Sequence, residues 1–244
     1  MKLYIIRHGN VTYHRGVPLA SVPPEERSLL LDPALTEVGR RQAALLGEHM
    51  SRRIVPEEHS QPLPHDRLVF SVTRLFCSPM RRALQTAQLL AAALGLRPEI
   101  WVNLHELHGI IHDEGDGRGA RGLPGLTRVE VEEHFPEFVI PPDFADDGWW
   151  NRPPETEAEY LPRLQRVAQD IRAMAVNSDE HIAIVSHGTA SNYILHGLLG
   201  SKEYEKVYFN HAHTGMSNLI IEENETTVRY QNSVEHLPAD MITG

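Results

Sequence analysis

The sequence predicts an α/β fold, a three-layer sandwich in which a mostly parallel central sheet is flanked by helices. Three observations carry this. Strand-like and helix-like segments alternate along the chain, as a layered α/β architecture requires. The run Leu3-Tyr4-Ile5-Ile6 is continuously apolar, as a strand buried on both faces must be. Far downstream, Ile184-Val185 ends in the same histidine-glycine punctuation as that first run. With 244 residues, 41% of them hydrophobic and 23% charged, the chain is long enough for one substantial core. One domain over residues 1–244 is expected, with insertions at 54–66 and 109–154.

The elements follow in order. After the first strand, residues 11–34 carry Pro18, Pro23, Pro24 and Pro33 and little periodicity. They read as a loop with a short helical turn over Glu25–Leu31, placed to cover the strand end. Thr36 suits the N-cap of a helix over Leu35–Arg53, in which Val38, Ala43, Ala44, Leu45, Leu46 and Met50 recur at helical spacing. Residues 54–66, rich in Pro, Glu and His, read as a surface excursion before a second strand ending in Leu75-Phe76-Cys77. Ser78-Pro79 opens a helix over Met80–Leu94 with Ala83, Leu84, Ala87, Leu90 and Ala91 on one face and Gly95 closing it. Glu99–Val102 reads as a short third strand.

Residues 109–154 are dense in Gly, Pro, Asp and Trp, with one modest helical stretch over Leu126–His134. An insertion of this length beside a strand end is expected to cap a substrate pocket. A helix over Thr156–Val176, a strand over His181–Val185 and a helix over Thr189–Leu199, ending at Gly200, restore the alternation. Ser217–Ile221 and Thr227–Tyr230 finish the sheet around a turn at Glu223-Asn224.

Composition excludes several classes of function. A formal net charge of −10 without any Lys/Arg run argues against a nucleic-acid partner, since a phosphate backbone demands a basic face. The first residues run straight into a strand and no stretch is apolar for long enough to span a bilayer, so a soluble cytoplasmic protein with no membrane partner is expected. A single cysteine, Cys77, excludes an internal disulfide and any zinc site built on paired thiolates. Its neighbours Leu75 and Phe76 mark it as a buried strand residue rather than a nucleophile. Fifteen histidines invite a metal reading, but no His-Glu-x-x-His pair occurs. His105, His108 and His112 have helix-like spacing, yet Gly109, Gly115 and Gly117 make poor helix context, so no metal is expected there.

Arg7-His8-Gly9 and Ser186-His187-Gly188 each place a histidine just beyond a buried strand. In open α/β sheets ligands bind at that carboxyl edge, and Gly9 lets the backbone turn while leaving room for a substrate. If the two strands are neighbours, a phosphoryl group can bridge His8 and His187. A neutral His8 can attack phosphorus, provided its other ring nitrogen donates to a carbonyl and leaves the reactive lone pair free. Arg7 then binds the phosphate. Arg82, delivered to the same edge by the helix that follows Cys77, adds a second guanidinium and helix N-terminal amides that favour anions. Arg81 is read as facing solvent.

Taken together, Arg7-His8-Gly9, the segment Leu35-Thr36-Glu37-Val38-Gly39-Arg40-Arg41-Gln42-Ala43, the segment Ser78–Ala87 and Ser186-His187-Gly188 resemble the histidine phosphatase superfamily, the phosphoglycerate-mutase-like group. The ending Asn232-Ser233-Val234-Glu235-His236-Leu237 is similar to that family's C-terminal strand and turn. The resemblance implies that His8 is the nucleophile that becomes phosphorylated, with Arg7, Arg82 and His187 cradling the phosphoryl oxygens, and that no metal or other cofactor is required. It also implies a carboxylic acid after the third strand. Glu106, in Leu104-His105-Glu106-Leu107-His108-Gly109, matches that place, with Glu114 as its rival. To be protonated, such an acid needs burial or anionic neighbours. Asn10 and Gly188 complete the expected phosphate-contacting set. The chain departs from the family where Asn10-Val11-Thr12-Tyr13-His14 replaces the usual Glu-Thr and later Asn, so His14 stands where an Asn is common.

The leading reading is a phosphomonoesterase acting on a small organic phosphate. One alternative is a phosphomutase of the phosphoglycerate type, which needs extra cations to hold an acidic substrate. In 109–154 the available cations are Arg118, Arg121, Arg128 and Arg152, amid carboxylates and the Trp149-Trp150 pair. Those two tryptophans are read first as packing and second as an aromatic wall for the substrate. The other alternative is a non-catalytic scaffold that binds a phosphorylated ligand. A homo-oligomer is left open.

Overall fold

Residues of the first strand divide their side chains between two cores. Leu3 and Ile5 pack with the residues of one cluster, Tyr4 and Ile6 with those of the other, which is why the run is apolar without a break. The computed structural model describes residues 1–13, 21–23, 26–27, 31–52, 70–113 and 119–244. Its strands are β1 (Lys2–Arg7), β2 (Arg74–Cys77), β3 (Glu99–Ile100), β4 (Ile111–His112), β5 (Arg121–Gly122), β6 (His181–Ser186), β7 (Met216–Ile221) and β8 (Thr226–Ser233). The helices are α1 (Glu37–Ser51), α2 (Arg81–Leu94), α3 (Arg128–His134), α4 (Glu157–Ala175) and α5 (Gly188–Leu198).

The main sheet has the order β3-β2-β6-β1-β7-β8. The first four in that order run parallel, while β7 pairs antiparallel with both β1 and β8. On one face Leu46 and Met50 of α1 and Leu84 and Leu90 of α2 meet Tyr4, Ile6, Ala183 and Val185. On the other, Leu164, Val167 and Ile171 of α4 and Ile194 and Leu195 of α5 meet Leu3, Ile5, Ile182 and Ile184. The result is the three-layer α/β sandwich with a mostly parallel sheet.

Local chemistry sets the element ends. The Thr36 hydroxyl accepts the Gly39 N–H and caps α1. Gly95, at φ 69°, closes α2 in the left-handed conformation that glycine takes without strain. Thr127 with Glu130, and Thr156 with Glu159, form capping boxes at α3 and α4. The expected strand over Glu99–Val102 stops at Ile100, because the chain tightens into a turn of 3-10 helix over Val102–Leu104, with the Leu104 N–H bonded to the Trp101 carbonyl. That turn aims the following residues back at the sheet edge. Residues 109–154 also contain the small hairpin β4/β5, for which the sequence carries no alternating pattern. The expected excursion at 54–66 and most of the expected turn over 25–31 lie outside the described residues.

Candidate active site

Parallel pairing of β1 with β6 aligns Arg7 with Ser186, so the next residue of each strand, His8 and His187, leaves the sheet at the same level. Their ring centroids are 5.1 Å apart and both side chains are buried. His8 Nδ1 lies 2.7 Å from the Gly9 carbonyl oxygen, which only accepts, so Nδ1 carries the proton and Nε2 holds the lone pair. Arg82 Nε donates to that Nε2 at 3.2 Å. Burial, reinforced by the Arg82 charge, pushes the pKa of both histidines well below the ordinary value of 6.5. Two neutral imidazoles therefore stand beside two guanidinium groups. His187 Nε2 is paired with the Ser78 hydroxyl at 2.7 Å, while its Nδ1 is buried without a partner.

The guanidinium groups are held from behind. Arg7 donates to the His211 carbonyl at 2.6 Å. Arg82 pairs with buried Asp32 at 3.3 Å, and Asp32 also accepts the Arg81 N–H at the start of α2, where the helix dipole favours an anion. Thr86, one turn along α2, donates its hydroxyl to the Arg82 carbonyl and accepts the Gly9 N–H. The glycines of the two N-terminal motifs meet backbone to backbone. A Cβ on Gly9 would lie 2.6 Å from the Gly39 carbonyl oxygen, and one on Gly39 would lie 2.2 Å from that of Asn10. Only this close approach lets α1 brace the turn that carries His8.

Glu106 follows the 3-10 turn and reaches the N-terminus of α5. Its Oε1 accepts the N–H groups of Leu107 and Ala190, and its Oε2 that of Thr189. The neighbours of this carboxyl group are thus backbone amides and not the anions expected of a ready proton donor. The loop is pinned by Ser186 Oγ, which donates to the Leu104 carbonyl, and by Arg163, which donates to the carbonyls of Asn103 and His105. Arg163 is itself held by a two-point contact with buried Glu155.

A cavity of about 820 Å³ opens over these residues. Arg7, His8, Arg82, Glu106 and Gly188 form its floor, and Tyr13, Leu107, His108, Ile111, His112 and Tyr208 are among its walls. Asn10 does not line it. The Asn10 side chain accepts from the Thr36 hydroxyl and donates to that of Thr243, so the substrate contact expected of Asn10 is replaced by an internal one. Trp149 and Trp150 do not line it either. They are buried in the core, where both rings contact His105, Trp149 tilted and Trp150 edge-on. Arg128 is spent on Asp146 and on carbonyls, and Arg152 on Trp150 and Glu155; neither they nor Arg121 line the cavity. Glu114, Arg118 and His14 lie outside the described residues.

His105 sits on the tryptophans with its Nδ1 at the Glu106 carbonyl, and burial together with Arg163 pushes its pKa down to about 3. His108 is bonded to the Glu155 carbonyl. Among the described residues no group of three His, Cys, Asp or Glu is arranged to hold a metal ion, and no helix is long and apolar enough to cross a membrane. Cys77 is a buried free thiol whose pKa burial raises. Sequence reasoning missed Asp32, Thr86 and His213, whose ring centroid is 5.6 Å from that of His8. None has a local signal: each is an isolated polar residue that acquires meaning only through a partner distant in sequence.

Paired neutral histidines and two arginines thus stand together at the carboxyl edge of the mostly parallel sheet, the edge at which α/β proteins bind their ligands. Residues 3–234 match the family "Histidine phosphatase superfamily (branch 1)", and the chain belongs to that superfamily. Several solved structures that share the fold are phosphatases. The phosphoserine phosphatase of Entamoeba histolytica, in complex with 3-phosphoglyceric acid, superposes with a TM-score of 0.57 at 19% identity over 97% of this chain and 99% of its own. The alpha-ribazole phosphatase of Shigella flexneri gives 0.57 at 19% identity over 96% of each chain. The ecdysone phosphate phosphatase of Bombix mori, in complex with tungstate, gives 0.60 at 16% identity over 95% of this chain and 92% of its own. Among curated proteins none matches the sequence.

Proposed function

We propose that the protein is a phosphomonoesterase that hydrolyses a small organic phosphate through a phosphohistidine on His8, without a metal. The observation that carries this reading is the hydrogen bond from His8 Nδ1 to the Gly9 carbonyl, which leaves the Nε2 lone pair at the cavity floor between Arg82 and His187. A phosphate entering the cavity displaces the Arg82–His8 contact, its oxygens taking the guanidinium groups of Arg7 and Arg82. His8 Nε2 attacks phosphorus, the phosphorus–oxygen ester bond breaks, and its electron pair leaves on the alkoxide oxygen. Glu106 delivers a proton to that oxygen. In the second half, the Glu106 carboxylate takes a proton from water, the hydroxide attacks phosphorus, and the phosphorus–nitrogen electrons return to His8. Arg7, Arg82, His187 and the N-terminal turn of α5 at Gly188 offset the charge that spreads over the phosphoryl oxygens.

Hydrolysis is favoured over the mutase reaction because the described cavity walls beyond the phosphate floor carry no further Lys or Arg. A mutase needs such cations to retain an acidic substrate through transfer. The test is hydrolysis of an aryl phosphate by the wild-type protein and His8→Ala with EDTA throughout, with an acid-labile phosphoenzyme trapped by rapid quench. Turnover in EDTA that falls by at least about a thousandfold in His8→Ala supports the reading. Turnover without a trapped phosphoenzyme and indifferent to His8 overturns it.

A further inference from the structure

Phenylalanine, tyrosine and tryptophan side chains are buried or half-buried throughout this chain, with two exceptions. Only Tyr13 and Tyr208 are exposed, by 48% and 54%, and both line the cavity. Each is tied to a different part of the floor. The Tyr13 ring centroid lies 5.9 Å from the Arg82 guanidinium carbon, beside the phosphate-binding cations. The Tyr208 hydroxyl lies 3.4 Å from Thr189 Oγ1, and the Thr189 N–H donates to Glu106 Oε2. Tyr208 therefore stands at the start of α5, next to the carboxyl group that serves the leaving oxygen in the reading above. Leu107, directly after Glu106, and Ile111 of β4 add aliphatic surface to the same cavity, and Ile111 is itself exposed. Single exposed apolar side chains are ordinary on a protein surface, but here two tyrosines and an isoleucine converge on one cavity.

We propose that Tyr13 and Tyr208 are specificity-determining residues, and that the substrates are phosphate monoesters whose organic group is an uncharged aromatic ring system held between them, Leu107 and Ile111. This deepens the phosphomonoesterase reading and rests on it. With the phosphate on the floor at Arg7 and Arg82, the organic group of the ester is what remains to fill a cavity of about 820 Å³, a volume in the range that takes a drug-sized ligand. Exposed ring and aliphatic surface gains most when apolar surface covers it, and a ring laid against a ring in offset or edge-on geometry adds to that gain. A tyrosine side chain turns about only two bonds, so ordering it on a ligand costs little entropy. A carboxylate on the organic group would find no Lys or Arg among the described cavity residues other than Arg7 and Arg82, and would lose its hydration without a counter-charge of its own.

The experiment compares kcat/KM for 2-(1-naphthyl)ethyl phosphate and 2-hydroxyethyl phosphate. Both release a primary alkoxide of similar basicity, so their ratio reports how the organic group is held and not how easily the ester bond breaks. The wild type is expected to favour the naphthylethyl ester by at least about tenfold, the effect of covering one ring system with apolar surface. In Tyr13→Ala and in Tyr208→Ala that ratio should fall several-fold, about tenfold at most, with the loss in the KM of the naphthylethyl ester more than in its kcat. Tyr208→Phe, which keeps the ring, should keep the ratio. The hydroxyethyl ester serves as the reference within each variant, so a general loss of folded enzyme cancels. A wild-type ratio near one, or a ratio that both alanine variants leave unchanged, overturns the inference. If the wild type still turns over aryl phosphate in that case, the proposed function survives. A wild type that hydrolyses neither ester nor aryl phosphate overturns both.

Discussion

The Arg82 guanidinium meets the Asp32 carboxylate at 3.3 Å, each side chain only 6% exposed, and the same guanidinium turns its Nε to His8. One carboxylate thus fixes the cation that faces His8. Removing it with Asp32→Ala leaves a buried charge unpaired and is expected to cost about 3–5 kcal/mol of folding stability. Asp32→Asn keeps the shape and an acceptor and should cost less, yet lower kcat/KM by about tenfold as Arg82 loosens. Urea denaturation and steady-state kinetics on both variants decide this, and wild-type values in Asp32→Ala would remove Asp32 from the site.

Gly9 and Gly39 are the second point of leverage. Each Cβ would land inside van der Waals distance of backbone, at 2.6 and 2.2 Å, and backbone cannot rotate out of the way. Gly39→Ala is therefore expected to destabilise by about 1–3 kcal/mol or more and to reduce turnover by moving the His8 turn. By contrast, Gly200→Ala meets no atom within 4 Å and carries only the strain of its φ of 64°. Comparing the two by denaturation separates crowding from backbone strain, and equal costs would contradict the close-contact argument.

Glu155 and Arg163 hold the Glu106 loop from below. Glu155→Ala is expected to cost about 3–5 kcal/mol, because Arg163 stays buried without its counter-charge. Since Arg163 also donates to the carbonyls of Asn103 and His105, the variant should lower kcat more than it raises KM. A variant with normal kcat would show that the loop does not depend on this pair.

Acid should destabilise the protein over a definite window. Burial, with Arg82 beside them, lowers the pKa of His8 and His187 well below 6.5, and burial brings His211, His213 and His236 to about 4. Unfolded histidines take up protons near pH 6.5 while these folded ones do not, so the unfolded state binds more protons below that point. Stability is complete above about pH 6.5 and falls between about pH 6.5 and 4, each such histidine contributing a slope of about 1.4 kcal/mol per pH unit. Asp32 acts in the opposite sense, since burial raises its pKa, but it is one group against several. Melting temperatures from about pH 7.5 to 4.5 test this, and a flat profile would mean that the histidines are more accessible than the structure places them.

Much of this molecule is legible in one dimension. The unbroken apolar runs at residues 3–6 and 182–185 announce strands covered on both faces, and Thr36 and Gly95 mark helix ends, because periodicity and capping are local consequences of backbone geometry. Arg7, His8, Arg82 and His187 were legible too, since each lies at or shortly after a strand end, where a parallel sheet binds its ligands. What the tertiary structure alone decided is who meets whom. The adjacency of β1 and β6 brings residues 8 and 187 together, α5 supplies the amides that hold Glu106, and Asp32 meets Arg82, as Thr86 meets Gly9, across 50 or more positions of sequence. The tryptophan pair, read first as packing and second as a wall, lies in the core against His105 and glycines 109 and 125. A single polar residue in a loop has no period to reveal it, so its role is written in the closure of the chain and not in its neighbours.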